Sequence, residues 1–177
     1  KEIEDVYPMS DIQKGMVFHS LKDTQTALYH DQMVYQATIS GFNAALFKKA
    51  FVLCVEKHAI LRTVFDLDTY SEPVQLVYRC IPNDISHDDI SSLEKESQEA
   101  YLTRFLEEDR ENAFQFGIPP LWRLRTFALG SDNICVVLVA HHAILDGWSV
   151  ASLVTETINT YWQLKANPDF VPVMLKN

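Results

Sequence analysis

The sequence of 177 residues has few cysteines, and their placement excludes two classes of small protein. Its three cysteines, Cys54, Cys80 and Cys135, lie far apart in apolar stretches and show no CxxC spacing. An odd number of scattered cysteines is not typical of a disulfide framework or of a zinc site. We therefore expect reduced thiols in the core of a cytoplasmic protein.

Long apolar runs and stripes of positive charge are also missing. No run approaches the roughly 18 apolar residues that a membrane-spanning helix needs, and the charged start of the chain has no signal-peptide core. The net charge is −9, and the lysines and arginines are scattered. We therefore expect neither a membrane nor a nucleic-acid partner. Because the sequence does not begin with methionine, we expect it to be a segment of a longer chain.

Helix caps and apolar periodicity predict four helices in a chain with the composition of a soluble globular domain. Ser10 with Gln13, and Ser91 with Glu94, fit the capping box, in which the first side chain bonds the backbone three residues on. The first helix is expected to turn Ile12, Met16 and Val17 towards the core. The predicted helices run from about Ser10 to Leu21, Asn43 to Cys54, Ser91 to Arg110 and Val150 to Leu164.

Alternating or continuous apolar residues predict the strands. The turn Gly130 to Asn133 joins the last two strands in a hairpin, and the unbroken apolar run of the second marks a central strand. These elements favour an α/β fold, more narrowly an α+β two-layer sandwich with a mixed sheet covered by helices. The predicted strands or extended segments are 32–39, 60–65, 74–78, 121–129 and 134–140.

The segment His141-His142-Ala143-Ile144-Leu145-Asp146-Gly147 follows the central strand directly. Loops at strand ends often carry functional side chains, because the strand fixes the backbone that presents them. Adjacent strand residues point to opposite faces, so one histidine is expected to be packed and the other available. This geometry argues against a metal site formed by both histidines. Asp146 is expected to be buried and to need a positive partner, and Gly147 to relieve a tight turn.

This segment resembles the HHxxxDG motif shared by chloramphenicol acetyltransferase, the dihydrolipoyl acyltransferases and the condensation domains of nonribosomal peptide synthetases. Three other segments are similar to condensation-domain motifs: Tyr7 to Leu21, His58 to Phe65, and Pro120 to Leu124. The resemblance covers nearly the whole chain. It implies a chloramphenicol acetyltransferase-like lobe in residues 1–166, the N-terminal one, with residues 167–177 beginning a linker to a C-terminal lobe.

The resemblance also implies the activity, which is amide bond formation in nonribosomal peptide synthesis. A donor acyl or peptidyl thioester and an acceptor aminoacyl thioester would each arrive on the phosphopantetheine arm of a peptidyl carrier protein. No cofactor would be bound directly. The expected partners are these two carriers, the C-terminal lobe and neighbouring adenylation domains. The lobe alone is expected to be inactive, because half of the substrate tunnel would be missing.

Residue roles follow from the same resemblance. His142 would be the catalytic residue, either accepting the amine proton or positioning the amine by hydrogen bonding. His141 would be packed. Asp146 would form a structural ion pair with Arg62, and the bare backbone of Gly147 could approach the reacting carbonyl.

The remaining polar and aromatic residues have more ordinary interpretations. Trp148 is expected in the core or at a lobe interface more than as a substrate contact in the tunnel, and Ser149 is interpreted as a helix cap. The acidic run 107–109 is interpreted as a solvated helix end. The isolated histidines are interpreted as surface or core residues; they are His19, His30, His58 and His87.

Two other functions remain open at this point. A stand-alone acetyltransferase using coenzyme A would be a trimer with active sites between its protomers, so the mass in solution would distinguish it. A non-catalytic carrier-docking lobe would have a decayed site, whereas His142, Asp146 and Arg62 are all present.

Overall fold

The computed structural model describes residues 2–23 and 26–171. A short 3-10 helix, Ala59–Arg62, joins α2 to β3. The other elements, in chain order, are β1 (Ile3–Pro8), α1 (Asp11–Lys22), β2 (His30–Thr38), α2 (Ala44–Lys57), β3 (Thr63–Asp66), β4 (Val74–Tyr78), β5 (Ile85–Asp89), α3 (Lys95–Glu111), β6 (Trp122–Gly130), β7 (Asn133–His141) and α4 (Gly147–Ala166).

The larger sheet has four strands in the order β2-β7-β6-β5. β7 runs antiparallel to both of its neighbours, whereas β5 runs parallel to β6, so the sheet is mixed. The predicted hairpin and the central position of its second strand are confirmed. β7 is central because its side chains are apolar on both faces and need cover on both.

Helices cover both faces of this sheet, and alternate residues of β7 contact different helices. Leu138 and Ala140 belong to the main core with α2 and α4, whereas Val137 and Val139 pack under α3. Trp122 on β6 fills the centre of the main core and donates its indole N–H to Leu61 O at 2.8 Å. The expected α/β class, with a helix-covered mixed sheet, is confirmed, and the larger sheet has helices on both faces where the two-layer expectation placed them on one.

A second sheet of three strands, β1-β4-β3, stands beside the first. Its edge strand β1 was not predicted, because every residue of β1 is exposed and its sequence carries no pattern of burial. The edge strand β5 was missed for a similar reason, since only its first residue, Ile85, is partly buried. The extended segment predicted from Ile60 begins only at Thr63, after the 3-10 helix.

The helix starts agree only in part with the sequence-based expectations. The first capping box is confirmed, since Ser10 and Gln13 bond each other's backbone, and Asn43 caps α2 as predicted. The second box is wrong: α3 begins after Glu94 without a side-chain cap. Ile12 is also not a core residue, since it is 72% exposed.

Two of the three cysteines are buried as expected. Cys54 and Cys135 lie in the core, but Cys80 is exposed just after β4, which corrects the prediction for that residue. Within the described part of the chain, no helix is both long enough and apolar enough to cross a membrane.

Candidate active site

The loop between β7 and α4 is anchored in the core along most of its length. Ala143, Ile144 and Leu145 are all buried, and Ile144 N–H donates to His141 O at 3.0 Å. These contacts hold the loop tightly against the end of the central strand. The two histidines therefore leave the sheet from a fixed backbone.

His141 is packed, as predicted, with only 2% of its surface exposed. Its Nδ1 accepts the Ala143 N–H at 3.2 Å, and its Nε2 lies 3.0 Å from Ser20 Oγ on α1. The ring also stands edge-on to Phe116. Burial, together with the neighbouring His30, lowers the pKa of His141 from 6.5 to about 4. The ring is therefore neutral at physiological pH.

His142 is the available histidine of the pair, with 34% of its side chain exposed. Its backbone N–H donates to Tyr29 O at 2.8 Å, which continues the pairing of β2 with β7 beyond the strand end. Its Nδ1 lies 2.5 Å from Asp31 Oδ2. Among the described residues, no hydrogen bond engages the other ring nitrogen, Nε2. The prediction that the two histidines separate into a packed and an available one is confirmed.

Asp31 is the residue of this site that the sequence did not reveal. It lies on β2 opposite Ala140, and His142 lies two residues beyond Ala140. Residues two apart on a strand share a face, so Asp31 and His142 are diagonal neighbours. The sequence did contain one signal. Asp31 lies two residues before Met33, so the two side chains share a face of β2, and Met33 packs against the main core.

The predicted ion pair between Asp146 and Arg62 is not formed, which corrects that prediction. Asp146 is exposed and caps α4, because its Oδ1 accepts the Ser149 N–H at 2.8 Å. This bond lowers the pKa of Asp146 from its usual value. Arg62 is buried instead against β1 and β4, where it bonds the Glu4 carboxylate and the Tyr78 carbonyl.

The first residues of α4 also differ from expectation. A Cβ on Gly147 would meet open space, and its backbone is not in the left-handed region, so no tight turn requires glycine there. Ser149 is not the helix cap, since Asp146 fills that position. Trp148 is 86% exposed, which rules out the core and leaves a lobe interface or the substrate tunnel as its predicted environment.

The acidic run 107–109 is not wholly solvated, because Asp109 is buried. Its carboxylate accepts hydrogen bonds from Arg123 at 2.8 Å, and from His30 and Gln32 at 2.9 Å. Burial alone would raise the pKa of Asp109, but these bonds outweigh it and lower the pKa to about 2. His30 is thus a paired core residue at the start of β2.

The fold and site define an α/β lobe with one buried and one available histidine at the end of its central strand. The condensation-domain family matches residues 3–173, nearly the whole chain. The chain therefore belongs to the condensation-domain family. The match favours this family over the alternative of a stand-alone acetyltransferase.

Relatives and solved structures agree with this membership. A linear gramicidin synthase protein of Brevibacillus parabrevis is 34% identical over 96% of this chain, which spans 3% of that protein. The starter condensation domain of rhizomide synthetase RzmA has a similar fold, with a TM-score of 0.84 at 14% identity, over 98% of this chain and 42% of that one.

A larger solved protein contains the same fold. The structure of holo-AB3403, a four-domain nonribosomal peptide synthetase bound to AMP and glycine, has a TM-score of 0.77 at 19% identity. The similarity covers 90% of this chain and 12% of that one. The present chain thus spans less than half of each of these three proteins.

Proposed function

We propose that this chain is one lobe of an enzyme that forms peptide bonds between two carrier-bound thioesters. The main support is His142, which combines a fixed backbone at the end of the central strand with a ring one-third exposed. A reactive group needs both properties, because the backbone supplies position and the exposure supplies access. Membership of the condensation-domain family supplies the reaction.

The proposed chemistry begins with attack of the acceptor amine on the donor thioester carbonyl. A carbon–nitrogen bond forms, the carbon–sulfur bond breaks, and the thiolate leaves. The amine proton ends on the thiolate sulfur. His142 would either relay this proton or hold the amine and the charged intermediate by hydrogen bonds, and tethering of both substrates would supply much of the rate.

We propose donor and acceptor peptidyl carrier proteins as the partners, with adenylation domains nearby in the same assembly. The phosphopantetheine arm is part of each carrier-bound substrate, so the lobe would need no resident cofactor. The four-domain synthetase of similar fold was bound to AMP and glycine, which supports the presence of amino-acid activation in such assemblies.

We propose that a C-terminal lobe covers the exposed apolar side chains of this one. Phe18 and Leu21 on α1 are more than half exposed, and Trp148 is almost fully exposed. Such side chains favour a covering partner. α4 ends at Ala166, in keeping with a lobe of residues 1–166; of the proposed linker 167–177, residues 172–177 lie outside the described ones.

The test of the function uses a two-lobed domain containing this chain, supplied with loaded donor and acceptor carriers. His142→Ala should lower amide formation roughly 100-fold or more, because it removes any proton relay. Thermal stability should stay near wild type, because the ring is partly exposed. The matched control is His87→Ala on β5, at the opposite edge of the sheet. Full activity in His142→Ala would overturn the assignment and favour a non-catalytic lobe.

A second experiment addresses the half-domain proposal. Residues 1–177 alone should give no turnover with loaded carriers, whereas adding the separate C-terminal lobe should restore some. Turnover by the chain alone at the rate of the whole domain would contradict the proposal. A stable trimer in solution would revive the coenzyme A alternative.

A further inference from the structure

The contact between His142 and Asp31 determines which ring nitrogen carries a proton. An ionised carboxylate only accepts hydrogen bonds. Asp31 Oδ2 lies 2.5 Å from His142 Nδ1, so Nδ1 must be the protonated nitrogen. In the neutral ring Nε2 then holds a lone pair.

The neighbouring histidine is fixed in the opposite tautomer. His141 Nδ1 accepts the Ala143 N–H, so it has no proton of its own, and Nε2 donates to Ser20 Oγ. The Ser20 hydroxyl donates onwards to a carbonyl, since Met16 O and Leu28 O lie at 3.0 and 3.1 Å. The two adjacent histidines are therefore held in different tautomers, with the proton on Nδ1 in His142 and on Nε2 in His141.

We propose that Asp31 is a positioning residue that holds His142 in the Nδ1–H tautomer and so directs an unprotonated Nε2 to the acceptor amine. This inference rests on the proposed function. It selects proton acceptance over simple hydrogen-bond donation as the role of His142, because Nε2 in this tautomer is an acceptor.

The proton balance of the step is complete with these groups. Nε2 takes the amine proton as the carbon–nitrogen bond forms, which leaves a positive imidazolium beside the Asp31 carboxylate. Nε2 then gives the proton to the thiolate as the carbon–sulfur bond breaks, and the ring returns to its neutral state. Among the described residues, Asp146 at the start of α4 and His141 on β7 also interact electrostatically with His142, and the titratable ring of Tyr29 lies 6.4 Å from its ring.

A stabilising role alone explains this contact poorly. The two side chains are 34% and 41% exposed, and ion pairs as exposed as this one contribute little to stability because water screens them. The backbone already fixes both residues, through the pairing of Asp31 with Ala140 and the bond from His142 N–H to Tyr29 O. What the side-chain contact adds is the orientation and the tautomer of the ring.

The direct test is the tautomer itself, read from two-bond ¹H–¹⁵N NMR correlations of the histidine rings at pH 8, where histidines are ordinarily neutral. His142 should give the Nδ1–H pattern and His141 the Nε2–H pattern, with His142→Ala assigning the signals. Asp31→Asn should mix the His142 tautomers, since an amide can donate as well as accept. Asp31→Glu should restore the Nδ1–H form. A wild-type Nε2–H pattern, or no change in Asp31→Asn, overturns the proposal.

The second readout is kinetic and uses the two-lobed domain. Asp31→Ala and Asp31→Asn should lower kcat roughly 10- to 100-fold with little change in KM, as removal of a partner that orients a reactive histidine does elsewhere. Asp31→Glu should recover part of the loss. The control is Asp88→Asn, the same chemical change on the exposed edge strand β5. An unchanged kcat in Asp31→Asn overturns the positioning role.

The two readouts separate this inference from the proposed function. If the wild-type domain forms no amide bond, the function fails, and the NMR pattern alone decides whether Asp31 sets the tautomer. If condensation and the His142→Ala effect hold but Asp31→Asn is neutral, the function stands and the positioning role is wrong. Should Asp31→Ala fail to fold, Asp31→Asn keeps the same shape and decides.

Discussion

The buried carboxylate of Asp109 is the contact on which the stability of this lobe should depend most clearly. It accepts three hydrogen bonds, from His30, Gln32 and Arg123, and its side chain is only 5% exposed. Asp109→Ala would remove the buried carboxylate that both Arg123 and His30 contact, and would leave Arg123 with a 3.7 Å contact to Asp84 and a bond to the Asn112 carbonyl. We expect a loss of about 3–5 kcal/mol, the usual cost of removing one member of a buried ion pair.

The pH dependence of unfolding gives an independent measure of the charged part of that loss. The pKa of Asp109 is about 2 when folded against 3.8 for the free group, which corresponds to about 2 kcal/mol at pH 7. Because the folded pKa is the lower one, this stability is present above pH 3.8 and is lost as pH falls towards 2. Asp109→Asn should therefore be less stable than wild type, and the difference should shrink by about 1 kcal/mol between pH 7 and pH 3.

The measurement is urea and thermal unfolding of the chain and its variants. For a domain of this size, the expected loss lowers the melting temperature by roughly 6–20 °C. The control is Glu108→Ala, because Glu108 is the neighbouring acid on α3 and is exposed. An Asp109→Ala variant within about 1 kcal/mol of wild type would refute the reasoning, since it would mean that Asp84, 3.7 Å from Arg123, compensates the buried guanidinium as well as Asp109 does.

Three further changes test the remaining contacts. Asp146→Ala should lower stability less than Asp109→Ala, because Asp146 is an exposed helix cap. A double-mutant cycle should show no coupling between Asp146 and Arg62, and clear coupling would mean that the two residues do form an ion pair. Arg62→Ala should lower the free energy of unfolding in urea more than Glu4→Ala does, because Arg62 also donates to two backbone carbonyls. Equal losses in the two variants would contradict this expectation. Wild-type stability should fall by about 2 kcal/mol from pH 7 to pH 5, because His141 takes up a proton more readily when unfolded; His141→Gln should remove that part of the slope, and a flat wild-type profile would contradict the pKa assignment.

The elements that sequence predicted well are those whose own side chains record their burial. α2, α4 and the β6–β7 hairpin carry apolar residues at the spacing of their secondary structure, and each appeared near its expected bounds. β1 and β5 are held by backbone pairing at sheet edges and expose most of their side chains. The alternation of apolar and polar residues could not reveal these two strands, because too few of their side chains are buried to create it.

The polar contacts were predicted less well because most depend on tertiary position. Asp31 and His142 are 111 residues apart, and no local pattern joins them. Asp109 is a different case, since it lies four residues after Phe105. Phe105 is on the inner face of α3 and packs against Phe127 of the sheet. Residues four apart on a helix share a face, so the burial of Asp109 was available from helical spacing.

Strand alternation at the end of the β2–β7 pair separates buried side chains from partly exposed ones. His30 and His141 are directly opposite each other, so both face one side of the sheet, and both are buried. Their chain neighbours Asp31 and His142 turn to the other side, where both are partly exposed. The buried rings of His30 and His141 thus fix the backbone of both strands from one face, while the adjacent residues remain partly exposed on the other. A shift of one residue in the β2–β7 register would exchange these sets, placing a carboxylate in the interior and removing it from His142. The buried face therefore stabilises the register, and the register in turn determines the geometry of the proposed reaction.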